Sequence, residues 1–295
     1  MKAYPFVTVD VFTEERFGGN PLAVFPDARG LSDAQMQALA AEFNLSETTF
    51  VLPPDDPAHT ARVRIFNRTH EMSFAGHPNV GTGYVLAMQG RDKDGKLRFE
   101  EISGLVEIKV DRDGAGVVTG ATIAAPQPLS LGVRLSPEDV AACAGLLPAD
   151  VITAGHSPMQ ASVGFPVMLA EVSAAALAHA VPNLAEFRRV LAQCPALDGQ
   201  LVLYVYTRDG ARVRARMFSP PAGTWEDPAT GGAAAPLAAL LLSLTAETNA
   251  SYDVVQGVEM GRPSLLRATA RRIDESICAT VGGGCVPVLR GEAQV

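Results

Sequence analysis

Apolar and polar positions alternate along most of this chain in short segments, and only two longer runs are apolar on nearly every side. Alternation with a period of two marks strands that bury one face. Such segments fall at Tyr4–Phe12, Thr48–Leu52, Ala61–Phe66, Leu97–Glu101, Leu105–Val110 and Val117–Ile123 in the first half. They recur near Ser162–Val172, Leu201–Thr207, Ala211–Phe218, Ser251–Gln256, Ser264–Ala270 and Ile277–Val288. The apolar runs, Pro78–Met88 and Ala233–Ser243, predict helices enclosed by their own domains. Ser32 and Ser136 are placed to cap further helices at Asp33–Phe43 and Pro137–Ala144, and two alanine-rich helices are expected at about 174–180 and 185–193. Strict strand–helix alternation is lacking, so a doubly wound parallel sheet is not expected.

The two halves repeat one order. An arginine-alternating strand, Ala61-Arg-Val-Arg-Ile-Phe66 or Ala211-Arg-Val-Arg-Ala-Arg-Met-Phe218, leads through a loop to a glycine turn and then to the apolar helix, and the two phenylalanines lie 152 positions apart. The turns are Ala75-Gly76-His77 and Ala229-Thr230-Gly231-Gly232. We read this as an internal duplication giving an α+β fold of two pseudo-repeated lobes, each a mixed sheet rolled around a central helix. Ala124-Ala-Pro-Gln-Pro128 is the expected boundary, giving lobes of about 1–124 and 125–276.

A helix that starts at a glycine turn presents its first N–H groups to an approaching anion. Two such termini facing each other across a cleft would hold a small acid. Other candidates for chemistry surround these turns. Glu47 sits at a helix-to-strand joint, and His77 is read at a cap position before Pro78. Asp227 lies in the loop before the second turn.

Composition narrows the partners. The chain has 295 residues, 47% hydrophobic and 19% charged, with net charge −8, which suits a globular protein and argues against nucleic acid or an anionic membrane as partner. Arg212, Arg214 and Arg216 are accordingly read as a solvated strand face. No signal peptide is evident and no apolar run can span a bilayer, so a cytoplasmic, non-membrane protein is expected. Cys143, Cys194, Cys278 and Cys285 are scattered without CxxC spacing, and the five histidines form no close ligand pair, so neither disulfide framework nor metal is expected. No phosphate-binding glycine motif supports a nucleotide cofactor.

Several stretches together resemble the phenazine biosynthesis PhzF-like family. They are Gly19-Asn-Pro-Leu-Ala-Val-Phe25, Asn44-Leu-Ser-Glu-Thr-Thr-Phe-Val51, Arg64-Ile-Phe66 with Glu71, Phe74-Ala-Gly-His-Pro78, Glu226-Asp-Pro-Ala-Thr-Gly231, Gly257-Val-Glu-Met-Gly-Arg-Pro-Ser264 and Val281-Gly-Gly-Gly284. The resemblance implies a diaminopimelate epimerase-like fold whose last strands, about 277–295, return to the first lobe, in a protein that is usually a homodimer. It also implies cofactor-free isomerisation in which one glutamate moves a proton within a small, cyclic, carboxylate-bearing amino acid. On this chain it assigns catalysis to Glu47, His77 and Asp227 and substrate binding to Asn20, Gly76, Gly231 and Gly232. Removal of a proton near a carboxylate needs a base and donors for the developing charge, which Glu47 and the glycine turns would supply. A racemase or epimerase of another amino or hydroxy acid, and a non-catalytic small-acid binder, stay open. At Gly232 the commoner family pattern has serine. Glycine there suggests either a weakened site or a different substrate, the latter favoured because glycine permits positive φ.

Overall fold

The computed structural model describes residues 2–295. In chain order the elements are β1 (Ala3–Val11), β2 (Asn20–Phe25), α1 (Asp33–Phe43), β3 (Glu47–Leu52), β4 (Ala61–Asn67), β5 (Glu71–Met72), α2 (Gly76–Met88), β6 (Lys96–Glu101), β7 (Gly104–Arg112) and β8 (Val118–Ala124). Next come β9 (Ser130–Arg134), α3 (Pro137–Ala144), β10 (Val151–Ile152), β11 (Met159–Ser162), β12 (Pro166–Val172), α4 (Ala174–His179), α5 (Leu184–Gln193) and β13 (Leu203–Asp209). The chain closes with β14 (Arg212–Ser219), β15 (Thr224–Asp227), α6 (Gly231–Ser243), β16 (Asn249–Gln256), β17 (Ser264–Ile273) and β18 (Ser276–Gln294). Two compact units form, Met1–Ala124 with Val281–Val295, and Ala125–Thr280, so β18 contributes to both.

In the first unit the pairings run β1–β2, β2–β3, β3–β4, β4–β6, β6–β7, β7–β8, β8–β18 and back from β18 to β1, a closed ring. Helix α2 is threaded through it, with every residue from Gly76 to Ala87 buried. An eight-stranded ring leaves little interior room. The helix fits because it is thin where the wall is close: a Cβ on Gly81 would lie 2.7 Å from both Leu22 and Val11, and one on Gly83 2.8 Å from Ile108.

The second unit repeats this connectivity. Its pairings run β9–β11, β11–β12, β12–β13, β13–β14, β14–β16, β16–β17 and β17–β18, and the segment before β9 bonds back to β18 through Ala125 N–H to Ala279 O and Leu129 N–H to Ile277 O. Helix α6 is the enclosed element here, its slimness supplied by alanine rather than glycine. In each unit two pairs are parallel, β2 with β3 and β4 with β6, then β12 with β13 and β14 with β16. Parallel neighbours need a crossover, and the helices are those crossovers. These are the two helix-centred mixed sheets that the apolar runs predict.

Arg216 departs from its sequence reading. It is not on a solvated face but 7% exposed, held by Glu226 at 2.8 Å through both Nε and Nη2, and its Nη1 donates to the carbonyls of Leu177 and Ala180. A guanidinium can be buried on an alternating strand once a carboxylate and carbonyls satisfy its donors. Arg64 makes the matching carboxylate pair in the first unit, against Glu71 at 2.7 and 2.5 Å, but it is only half-buried and its Nη1 donates to Asp33 instead of to carbonyls. Each arginine also lies over the phenylalanine two residues on, Phe66 at 5.0 Å and Phe218 at 5.1 Å.

Candidate active site

Among the described residues six α-helices start, and four of them carry an ordinary side-chain cap. Ser32, Ser136, Ser173 and Asn183 accept from backbone N–H groups at the starts of α1, α3, α4 and α5. The two enclosed helices differ. Their N-cap residues are Ala75 and Thr230, and neither makes a side-chain cap hydrogen bond. The first bonded amides are Asn79 N–H to Ala75 O in α2, and Ala233 and Ala234 N–H to Thr230 O in α6. Pro78 has no N–H. Gly76 and His77 in one helix, and Gly231 and Gly232 in the other, therefore present N–H groups that the helix does not use, at its positive end.

His77 is not the cap that its place before Pro78 suggests. The helix starts one residue earlier, because Gly76 already adopts helical geometry and leaves Ala75 as the extended N-cap. His77 is thus the second residue of the first turn, 6% exposed, and burial pulls its pKa down to about 3. The ring is neutral at pH 7. Its Nδ1 is 3.5 Å from Asn20 Nδ2, and Ser46 Oγ donates to Asn20 Oδ1 at 3.5 Å. An amide NH₂ aimed at Nδ1 makes that nitrogen the acceptor and leaves the single ring proton on Nε2. Nε2 in turn lies 3.4 Å from Glu47 Oε2, close but not in line for a hydrogen bond.

These residues come from separate elements. Asn20 opens β2 after Gly19, whose φ of +63° and a would-be Cβ 2.3 Å from Val11 O admit only glycine. Glu47 opens β3, directly across the parallel pair from Leu22. The first unit so brings together Asn20, Glu47, Gly76 and His77.

The second unit brings together Asp227, Gly231 and Gly232. Asp227, 7% exposed, ends β15, and its Oδ2 accepts the Thr230 hydroxyl at 2.5 Å, which explains why Thr230 does not cap α6. Gln256 organises this turn and is absent from the sequence-derived candidates. Its amide accepts from Thr230 N–H at 3.2 Å and from Tyr204 OH at 3.0 Å, and donates to Asp227 O at 2.7 Å and Thr230 Oγ1 at 3.0 Å. A signal for it existed: Gly257 beside it has φ of +75°, and a Cβ there would meet Pro228 O at 2.5 Å. Gly232 differs from its sequence reading. Its φ is not positive, and a Cβ would meet only Phe165 Cδ1, at 3.8 Å.

Comparison with known proteins joins this geometry to a family. A family model described as phenazine biosynthesis-like protein matches residues 9–291. Trans-2,3-dihydro-3-hydroxyanthranilate isomerase of Pseudomonas aeruginosa is 36% identical over 298 residues, 98% of each chain. An uncharacterized isomerase of Mesorhizobium japonicum is 37% identical over 301 residues, 99% of each chain. The crystal structure of a PhzF-family phenazine biosynthesis protein from Bacillus anthracis shares the fold over the full length of both chains, with a TM-score of 0.88 at 24% identity. With its two helix-centred lobes of the diaminopimelate epimerase-like kind, this chain belongs to the phenazine biosynthesis-like protein family and is an isomerase.

Proposed function

We propose that the protein is a cofactor-independent isomerase that moves one proton within a small, cyclic, carboxylate-bearing amino acid, with Glu47 as the group that carries the proton. The observation that supports this most is the setting of Glu47, a carboxylate 3.4 Å from a buried, neutral histidine at a helix start whose first two N–H groups the helix does not use. A carboxylate base takes a proton from an sp³ carbon next to an unsaturated one. The C–H electrons form the new double bond, the old double bond shifts, and the same carboxyl returns the proton at the far carbon. Charge develops on the substrate acid group during this step, and open N–H groups of Gly76 and His77 stabilise it. His77 Nε2–H serves as a further donor, and Asn20 sets its tautomer.

In the second lobe Asp227 supplies a second catalytic carboxyl group, and the N–H groups of Gly231 and Gly232 bind an anionic group in the same way. The relative from Pseudomonas aeruginosa suggests the first compound to try, trans-2,3-dihydro-3-hydroxyanthranilate. Incubation of that compound and a panel of amino and hydroxy acids in D₂O, followed by NMR, separates the readings. Deuterium uptake with a moved double bond supports the isomerase, uptake with inversion makes the protein an epimerase, and binding without uptake makes it a small-acid binder.

A further inference from the structure

Gln256 ends the strand that follows the enclosed helix of the second lobe, 25 residues after the helix begins at Gly231. Glu101 ends the strand that follows the enclosed helix of the first lobe, 25 residues after the helix begins at Gly76. The pairing is the same too, since β4 with β6 and β14 with β16 are both parallel. Gln256 braces the turn before α6 by accepting from the N-cap N–H of Thr230 and donating to the carbonyl of Asp227. Glu101 stands at the matching strand end of the first lobe, beside Asn79 in the first turn of α2. The residues just beyond it bind the turn before α2 through Ser103 N–H to Ser73 O. Asn79, whose amide donates to Ala75 O at 3.1 Å, also lies close enough to Glu101 to act on its ionisation, though not in hydrogen-bond geometry.

Both carboxyl oxygens of Glu101 are buried, and neither has a hydrogen-bond partner. The N-cap N–H of Ala75 likewise has none among the described residues. A carboxylate in that position would be a desolvated charge with no compensation; a carboxylic acid would offer one donor and one acceptor, the complement that Gln256 uses. We propose that Glu101 works as a neutral acid and is the positioning residue of the first lobe, bracing the Ser73–Ala75 turn so that the open N–H groups of Gly76 and His77 keep their direction.

The electrostatic setting agrees. Burial raises the Glu101 pKa to about 8, and the Asn79 amide alone works against it. The nearby titratable groups are engaged elsewhere or neutral. Glu100 accepts from Asp55 and Asp56 N–H and pairs with His59, Arg62 pairs with Asp55, Glu107 pairs with Lys96 and Arg98, and His77 is uncharged above about pH 3. Glu101 so ionises near pH 8, and the brace is lost there.

Hydrogen–deuterium exchange of peptides covering residues 73–80 tests this without any substrate, so its outcome is separate from that of the proposed reaction. The experiment compares the wild type, E101Q and E101A from pH 6.5 to 9.5, corrected for intrinsic exchange. We expect protection of this turn in the wild type to drop at least 10-fold with a midpoint near pH 8, to stay high throughout in E101Q, and to be low throughout in E101A. Peptides covering residues 228–235, braced by Gln256, serve as the control and should not respond to pH. Flat protection in the wild type, or a pH response that survives in E101Q, overturns the proposal, and E101Q decides alone if E101A does not fold. Once a substrate is in hand, the alkaline limb of kcat should be absent in E101Q, a change that a purely structural role does not produce.

Discussion

Asn20 Nδ2 stands 3.5 Å from His77 Nδ1 on the far side of the ring from Glu47, so one amide decides whether the ring nitrogen that faces the carboxylate carries the proton. Reversing that amide's polarity reverses the tautomer. Asn20→Asp should draw the ring proton to Nδ1 and turn Nε2 into an acceptor against Glu47, lowering kcat by about 10²-fold or more, whereas Asn20→Gly should cost less. Equal losses in the two variants would show that Asn20 acts only through packing.

Glu47→Gln should fold as the wild type does and lose deuterium exchange into substrate by about 10²- to 10⁴-fold, because an amide keeps the shape but accepts no proton. Unchanged turnover by NMR would remove Glu47 from the mechanism.

The His77 pKa of about 3 sets a sign for stability against pH. Between that value and the ordinary histidine value of 6.5, the unfolded chain binds a proton that the folded one does not. Its contribution is thus present above pH 6.5 and is lost as pH falls toward 3. Urea unfolding of His77→Gln should show a shallower decline of stability over this window than the wild type, and parallel declines would mean that the ring titrates normally. By the same reasoning turnover should show no histidine limb between pH 5 and 8.

Arg216 and Arg29 are both paired with carboxylates, yet their deletion should differ in effect. Arg216→Ala leaves Glu226 without its partner in a mostly buried position and should destabilise the fold by about 3–5 kcal/mol, whereas Arg29→Ala opens a solvent-screened surface pair with Asp27 and should leave stability nearly unchanged. Chemical denaturation of the two variants gives the comparison directly.

Gly232→Ser should be harmless to the fold, since the new Cβ meets only Phe165 at ordinary contact distance and φ is unstrained. Its effect should depend on the substrate. We expect impaired turnover of the native substrate and improved binding of phenazine-type precursors, read from KM and kcat for each. A gain on every substrate would instead mark the wild type as an attenuated form of the usual isomerase.

The sequence by itself determined the architecture and the places where chemistry could occur. Periodicity is local, so the strands, the two apolar helices and their glycine turns are visible in a one-dimensional pattern, and a duplication doubles that pattern at matched spacing. Glu47, Gly76 and His77 stand out as candidates for the same reason, each lying in or beside a turn, and Asn20 stands out through the family motif that holds it. Only the tertiary structure decided what these residues do to one another. The 3.4 Å contact of Glu47 with His77 joins residues 30 positions apart, and the tautomer depends on Asn20, 57 positions from His77. Burial is likewise a tertiary property rather than one of any segment: Arg216 alternates as a solvated residue would, and is buried because Glu226 and the carbonyls of Leu177 and Ala180 meet it there. Gln256 has only the neighbouring Gly257 as a local signal, and its importance arises when the fold brings its strand end beside the turn that starts α6.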